Sequence, residues 1–312
     1  MMTELSLVIP SYNEEAVLPE TASRLVLLLK RLIADHMISA DSRIYFVDDG
    51  SRDRTWELIE TLHASHDMIR GIKLSRNHGH QNALLAGLLT VPGDVVISLD
   101  ADLQDDIEVI PAMLAEHRNG AEIVYGVRKS RASDSLFKAY TARKYYQVLR
   151  YFGVEIVPDH ADYRLMSRRA LIELGNFHEV NLFLRGVIPL LGFKTAKTYY
   201  ERHPRFAGQT KYPLHRMIAL AFDGITSFSS VPLKWITWLG GLISFAAMLT
   251  GAWALIIKLF TDAAIPGWTS IVVPVYFLGG LQMLSLGIIG GYLAKIYSET
   301  KHRPRFIIEK TL

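Results

Sequence analysis

The sequence predicts an α/β domain followed by two C-terminal transmembrane helices. Short β-branched or apolar runs alternate with helical patterns along its amino-terminal part, as a parallel sheet with helical crossovers requires. Two charge-free apolar runs, 235–257 and 263–294, then close the chain. Each is long enough to cross a hydrocarbon layer, which takes about 20 residues at helical rise. Of the 312 residues 50% are hydrophobic and mean hydropathy is +0.17, high for a soluble protein and low for a chain that is all membrane. About 230 residues precede the first run, enough for one well-cored domain.

"LSLVIP" reads as the first strand, ended by Pro10; "RIYFVDDGS", "IRGIKLS", "DVVISLDAD" and "AEIVYGV" follow as the second to fifth. Helical patterns lie between them at 18–34, 55–63, 81–89 and 107–117. A further helix is expected over 133–152, and "DHADYRLMSRRALIEL" reads as a short strand leading into another helix. "ERHPRFAGQTKYP" is loop-like, punctuated by Pro204, Gly208 and Pro213. The stretch 212–231 mixes apolar residues with His215 and Arg216, as a helix lying along a membrane surface would. A core-packed helix reads the same way. The expected division is a domain over 1–211, a juxtamembrane region over 212–234, the spans over 235–297 and a cytoplasmic tail over 298–312.

A net charge of +3 gives no reason to invoke nucleic acid. The absence of cysteine excludes disulfides and thiolate metal sites and fits a reducing compartment. "MMTELSLVIP" carries an acid and too short an apolar stretch for a secretory signal. Lys295, Lys301, Arg303, Arg305 and Lys310 follow the second run, and Arg202, Arg205, Lys211, Arg216 and Lys234 precede the first. The link between runs holds only Lys258 and Asp262, so the positive-inside rule places both termini in the cytoplasm. Gly240/Gly241 and Gly290/Gly291 permit close helix contact and leave a homo-oligomer open.

Asp100 and Asp102 are the residues on which the chemistry centres. A hard divalent cation takes carboxylate oxygens and shares its other positions with substrate phosphates. Gln104 continues the alternation and offers another oxygen or a bound water. The same pattern suits a solvated acidic loop; its place after the fourth strand, where open α/β sheets bind ligands, favours the metal. A metal–diphosphate site tied to a bilayer points to a nucleotide as one substrate and a lipid as the other. Asp48 and Asp49 after the second strand can accept from ribose or base, while Ser51 or Asp53 can cap the next helix. Tyr12 offers a stacking surface and Glu14 an acceptor; Arg76, His78 and His80 read as polar loop residues lining a nucleotide pocket. Arg128, Arg143 and the group Arg202, Arg205 and Lys211 can meet phosphates, although positive-inside bias alone accounts for the last group equally well. Asp162 is either ion-paired with Arg164 or Arg168 or poised over a reaction centre; from the residues alone, pairing is favoured.

Taken together, "VIPSYNEE", "VDDGSRDRT", "SRNHGHQNALLAG", "DADLQDD", "GVRKSR", "DYRLMSR", "NLFLRG" and "RHPRFAGQTKYP" resemble, in order and over nearly the whole chain, the family 2 glycosyltransferases. The resemblance is nearest to those acting on polyprenyl phosphates. It implies a GT-A (Rossmann-like) nucleotide-sugar domain and inverting transfer of a hexose to undecaprenyl or another polyprenyl phosphate at the cytoplasmic membrane face. Glucose from UDP-glucose is the favoured donor; UDP-GlcNAc, another UDP-sugar and GDP-mannose are alternatives, and a non-catalytic nucleotide-sugar-binding membrane protein is the rival class. Carried over residue by residue, Asp100, Asp102 and Gln104 match a metal motif for Mg2+ or Mn2+. Pro10, Tyr12, Glu14, Asp48, Asp49 and Arg76 match nucleotide-pocket segments. Arg128 and Arg143 match phosphate-binding arginines, and Arg202 and Lys211 the pre-membrane phosphate loop. Asp162 matches an aspartate proposed as catalytic base, which overturns the preference for pairing. One departure stands out: relatives commonly read "DLQDPPE", where this chain has Asp106-Ile107-Glu108. It should affect only the start of the next helix. No Q-x-x-R-W sequence is present, which argues against a processive polysaccharide synthase.

Overall fold

The computed structural model describes residues 2–129, 160–179, 183–201, 231–260 and 268–312. Its strands are β1 (Leu5–Ser11), β2 (Arg43–Asp48), β3 (Ile69–Leu74), β4 (Val95–Ser98), β5 (Ile123–Arg128), β6 (His160–Ser167), β7 (Thr195–Tyr200) and β8 (Ile308–Thr311). Its helices are α1 (Leu18–Ala34), α2 (Thr55–Ser65), α3 (His80–Thr90), α4 (Ile110–Arg118), α5 (Arg168–Gly175), α6 (Leu184–Leu190), α7 (Val231–Phe260) and α8 (Trp268–Thr300). The expected helix 133–152 and the juxtamembrane stretch 212–230 lie outside the described residues.

The strands form one sheet in the order β7-β5-β6-β4-β1-β2-β3-β8. β1 runs parallel to β2 and β4, and β2 parallel to β3, which are the pairings that right-handed crossovers through α1 to α3 produce. The sheet is not wholly parallel. β6 runs antiparallel to both β4 and β5, and β8 antiparallel to β3. β1 and β2 are buried on both faces, hence their continuous apolar runs. Leu5, Leu7, Ile9, Ile97, Val124, Tyr163 and Leu165 pack on one face against α1 and α4. α3 covers the other face so closely that a Cβ at Gly87 would sit 2.3 Å from Val8 Cγ1. Pro10 fits a central strand because Val8 C=O accepts from Leu99, so alternation turns Pro10 to the same side, where β4 has already left the ladder.

Two compact units divide the described residues: one holds β1–β7, α1–α6 and, returning at the chain's end, Arg303–Leu312; the other holds α7 and α8. The last ten residues of the segment read from the sequence as a tail, Arg303–Leu312, therefore pack as part of the α/β unit. β8 adds an edge strand to β3, Leu312 N–H donates to Gly71 C=O (2.8 Å), and Lys310 pairs with Glu60 (2.8 Å). Among the described residues Phe277–Thr300 is long and apolar enough to cross a membrane, and Val231–Ile243 is a shorter apolar stretch.

Candidate active site

The described residues among those singled out from the sequence collect at one end of the sheet. β1 ends at Ser11, before Tyr12 and Glu14; β2 ends at Asp48; β3 ends before Arg76; β4 ends at Ser98, before Asp100 and Asp102; β5 ends at Arg128. Between β1 and β4 the strand order reverses, which is the switch point where open sheets bind ligands.

Antiparallel register brings Asp162 to the same place. Ser98 pairs with Arg164, so two residues further along Asp162 stands level with Asp100. The Ser98 hydroxyl donates to Asp162 C=O and fixes this register. The Asp162 carboxylate is buried and accepts from Arg164, from His80 Nε2 (3.2 Å) and from Arg185 Nε and Nη2 (3.3 Å each). Burial alone would raise its pKa; the His80 hydrogen bond and the Arg164 and Arg185 charges outweigh that and hold it well below the usual carboxylate range. Asp162 is thus both ion-paired and beside the acidic motif, so the two sequence readings were not exclusive. Arg168, the other partner considered, instead donates to Gly93 C=O and Val91 C=O.

His80, the first residue of α3, bridges the acids, with Nε2 3.7 Å from Asp100 Oδ1. Burial pushes the Asp100 carboxyl up to about 6; His80 opposes the shift, and Asp105, Asp162 and Asp102 add to it. Its side chain is nevertheless 36% exposed, so solvent moderates the desolvation. Asp102 Oδ1 accepts from Gln104 N–H (3.2 Å), and Leu103 between them takes a left-handed backbone (φ +55°) while its side chain turns inward. Strain of this kind persists where packing enforces it. Gln104 is buried and meets Asp102 through its backbone. Among the described residues no three histidine, aspartate or glutamate groups converge into a ready-made metal cage. A crowd of acids around Asp100, with two carboxylates at the rim, nonetheless fits a hard cation that draws its remaining oxygens from a diphosphate.

The β2 acids divide their work. Asp49 accepts from His78 N–H (2.7 Å) and Gly79 N–H (3.0 Å), which clamps the β3–α3 loop. The clamp needs Gly50, whose φ is +66° and whose Cβ would lie 2.5 Å from Arg76 C. Asp48 Oδ1 accepts from Ser51 N–H (3.2 Å), whereas its buried Oδ2 has no hydrogen-bond donor among the described residues. Asp53, just before α2, accepts from Thr55 N–H (3.0 Å), but the cap position of α2 is Arg54, so neither Ser51 nor Asp53 occupies it as expected. Tyr12 and Arg76 are exposed at the rim, and Glu14 lies half-buried.

Arg128 lies on the other face, where Nε donates to Tyr200 OH (3.2 Å) and Nη2 to Asp105 Oδ1 (3.4 Å); Tyr200 OH also donates to Asp105. Asp105, Tyr200 and Arg185 were not singled out as site residues, and His80 was read only as lining a nucleotide pocket, not as a link between the acids. The third acid of "DADLQDD" and the arginine of "NLFLRG" were the available signals. Asp106 accepts from Glu108 N–H (3.0 Å) and caps the turn before α4, where the departure from "DLQDPPE" was expected to act. Glu108 also pairs with Arg31 of α1, and Ile107 packs against the core. Arg143, Arg202, Arg205 and Lys211 lie outside the described residues. A depression of about 480 Å³ between α1 and 103–108 is lined by Asp105 but not by Asp100 or Asp102, so the strand ends rather than that hollow mark the site.

Residues 6–175 match Glycosyl transferase family 2. The chain is 48% identical over 309 residues to the uncharacterized glycosyltransferase YkoT of Bacillus subtilis (strain 168), covering 98% of this chain and 91% of that one. It is 36% identical over 310 residues to a prophage bactoprenol glucosyl transferase homolog of Escherichia coli (strain K12), covering 98% and 99%. It is 35% identical over 309 residues to the bactoprenol glucosyl transferase of Shigella phage SfV, covering 98% of each. With the acidic motif, the β2 aspartates and Asp162 gathered at one sheet end in a chain so matched, this protein belongs to the family 2 glycosyl transferases and is a glycosyltransferase.

Proposed function

We propose that the protein transfers a hexose, with glucose from UDP-glucose the favoured donor, to a polyprenyl phosphate at the cytoplasmic face of a membrane, inverting the anomeric centre. The observation that carries this reading is the extent of the match. Similarity at 36% identity to a relative named as a bactoprenol glucosyl transferase homolog covers 99% of it, C-terminal helices included as well as acidic motif. In this reading the exposed apolar side chains of α7 and α8, among them Trp238, Leu242, Phe277 and Met283, face lipid as two spans.

Asp100 and Asp102 would hold Mg2+ or Mn2+, which when bound neutralises charge on the departing nucleoside diphosphate. Asp48 Oδ2 accepts from the nucleoside, and Tyr12 offers its ring at the rim. Arg128, Arg143, Arg202 and Lys211 are proposed to meet phosphates. An oxygen of the lipid phosphate forms the new bond to the anomeric carbon as the bond to the diphosphate breaks on the opposite face. A phosphate monoester with a second pKa of about 6 is already ionised at neutral pH, so no side chain need remove a proton. The low pKa of Asp162 also makes it a poor base, and it orients its neighbours instead.

Membranes carrying the protein, incubated with undecaprenyl phosphate and labelled UDP-glucose, UDP-GlcNAc, another UDP-sugar or GDP-mannose, test the reading. Label is expected in a mild-acid-labile lipid, most from UDP-glucose. Labelling from none of them contradicts it.

A further inference from the structure

Around Asp162 the buried and the accessible charges separate. The carboxylate is 6% exposed and Arg164 fully buried, whereas Arg185 is 37% exposed. Arg185 is held squarely, with Nε against one carboxylate oxygen and Nη2 against the other. Its helix is pinned as well, because Leu184 N–H donates to the Gln81 side chain on α3 (2.9 Å). Two guanidinium groups meet one carboxylate here, and that of Arg185 is the part-exposed one of the pair. Through His80 the cluster adjoins Asp100.

The position has a side to it. Arg128 pairs in register with Tyr200, whose ring joins the core on the α1 and α4 face of the sheet. Arg164 and Asp162 alternate with Tyr163 and Leu165 of that core and therefore occupy the opposite face. Asp100, which follows β4 and lies 3.7 Å from His80 Nε2, is coupled electrostatically to both Asp105 of the first cluster and Asp162 of the second. In-line displacement needs one cationic site for the leaving phosphates and another, across the reacting carbon, for the entering one.

Building on the acceptor reading above, we propose that Arg185 binds the acceptor phosphate and that Asp162 is the positioning residue holding its guanidinium in place. A bidentate guanidinium–phosphate contact is charge-assisted and geometrically specific, and a fork locked by a carboxylate loses little further freedom on binding. Asp162 acts through Arg185 and takes no proton from the acceptor.

Full-length protein in detergent, with undecaprenyl phosphate and labelled UDP-glucose varied in turn, tests this. Arg185→Gln is expected to raise the acceptor KM about tenfold or more, the scale of one charge-assisted contact, while the donor KM moves less than twofold. Arg185→Lys should fall between, keeping charge but not the fork. Asp162→Asn should raise the acceptor KM and leave the shape of the pH profile of kcat/KM unchanged, and the double variant should be no worse than the more impaired single one. Asp162→Asn leaves Arg164 buried without its counter-charge and is the variant at risk of misfolding; Arg185→Gln, at a part-exposed position, carries the test alone if so. An acceptor KM within twofold of wild type in Arg185→Gln, or a donor KM that rises equally, overturns the assignment. Wild-type protein that glycosylates no polyprenyl phosphate overturns the acceptor reading itself, a result distinct from either.

Discussion

Asp100 concentrates the electrostatic conflict of the site in one carboxyl. Its folded pKa of about 6 lies above the ordinary 3.8, so in the metal-free protein its contribution to stability is full below about pH 4 and is lost as pH rises through about 6. A cation takes the ionised form and reverses that preference. Mn2+ affinity is accordingly expected to be level above about pH 6 and to fall about tenfold per pH unit below it. Calorimetric titration with Mn2+ from pH 5 to 8 checks this, and a flat profile would contradict it. Individual residues were legible where chemistry is local. Asp100 and Asp102 announce themselves one residue apart, whereas the clamp that Asp49 makes is closed by N–H groups 29 and 30 positions later. No periodicity in the chain reveals that.

At the scale of elements, the edge of the sheet deserves a functional reading, since β3 runs directly into the clamped loop at Arg76–Gly79. β8 supplies its outer ladder, Lys73 pairs with Glu309 (3.1 Å), and Leu312 packs where Gly71 leaves room beside Ile59 and Trp56. Truncation after His302 removes all of these. A loss of about 2 kcal/mol or more is expected, equivalent to about 4–8 °C in Tm for a domain of this size. Thermal unfolding of the truncated protein measures it; an unchanged Tm would mean that the strand contributes nothing. α1 was readable to the residue because its apolar face repeats with helical period and its buried side chains follow that stripe. β7 was not, because its half-exposed "TAKTYY" holds polar alternation without an apolar run. The antiparallel sense of β6 left no trace either, since strand direction is set by the connections and not by composition. That direction is what places Asp162 level with Asp100.

For the whole molecule, family membership and the apolar C-terminal helices point the same way. α8 holds a stretch, Phe277–Thr300, sufficient in length and composition to cross a membrane, and α7 is the second span in the proposed arrangement. The protein is expected in the membrane fraction, released by detergent and retained through high-salt and alkaline carbonate washes. Release by salt alone would point to surface attachment and contradict insertion.

The central claim is that the acids after β4 manage the leaving diphosphate while the fold stands without them. Transfer of labelled glucose from UDP-glucose to undecaprenyl phosphate by purified Asp100→Ala and Asp102→Ala proteins tests it most directly, with circular dichroism as the control for folding. Rates at least about 100-fold below wild type with an unchanged spectrum are expected, the scale of losing a principal electrostatic stabiliser. Near-wild-type turnover by a folded Asp100→Ala protein would contradict the account.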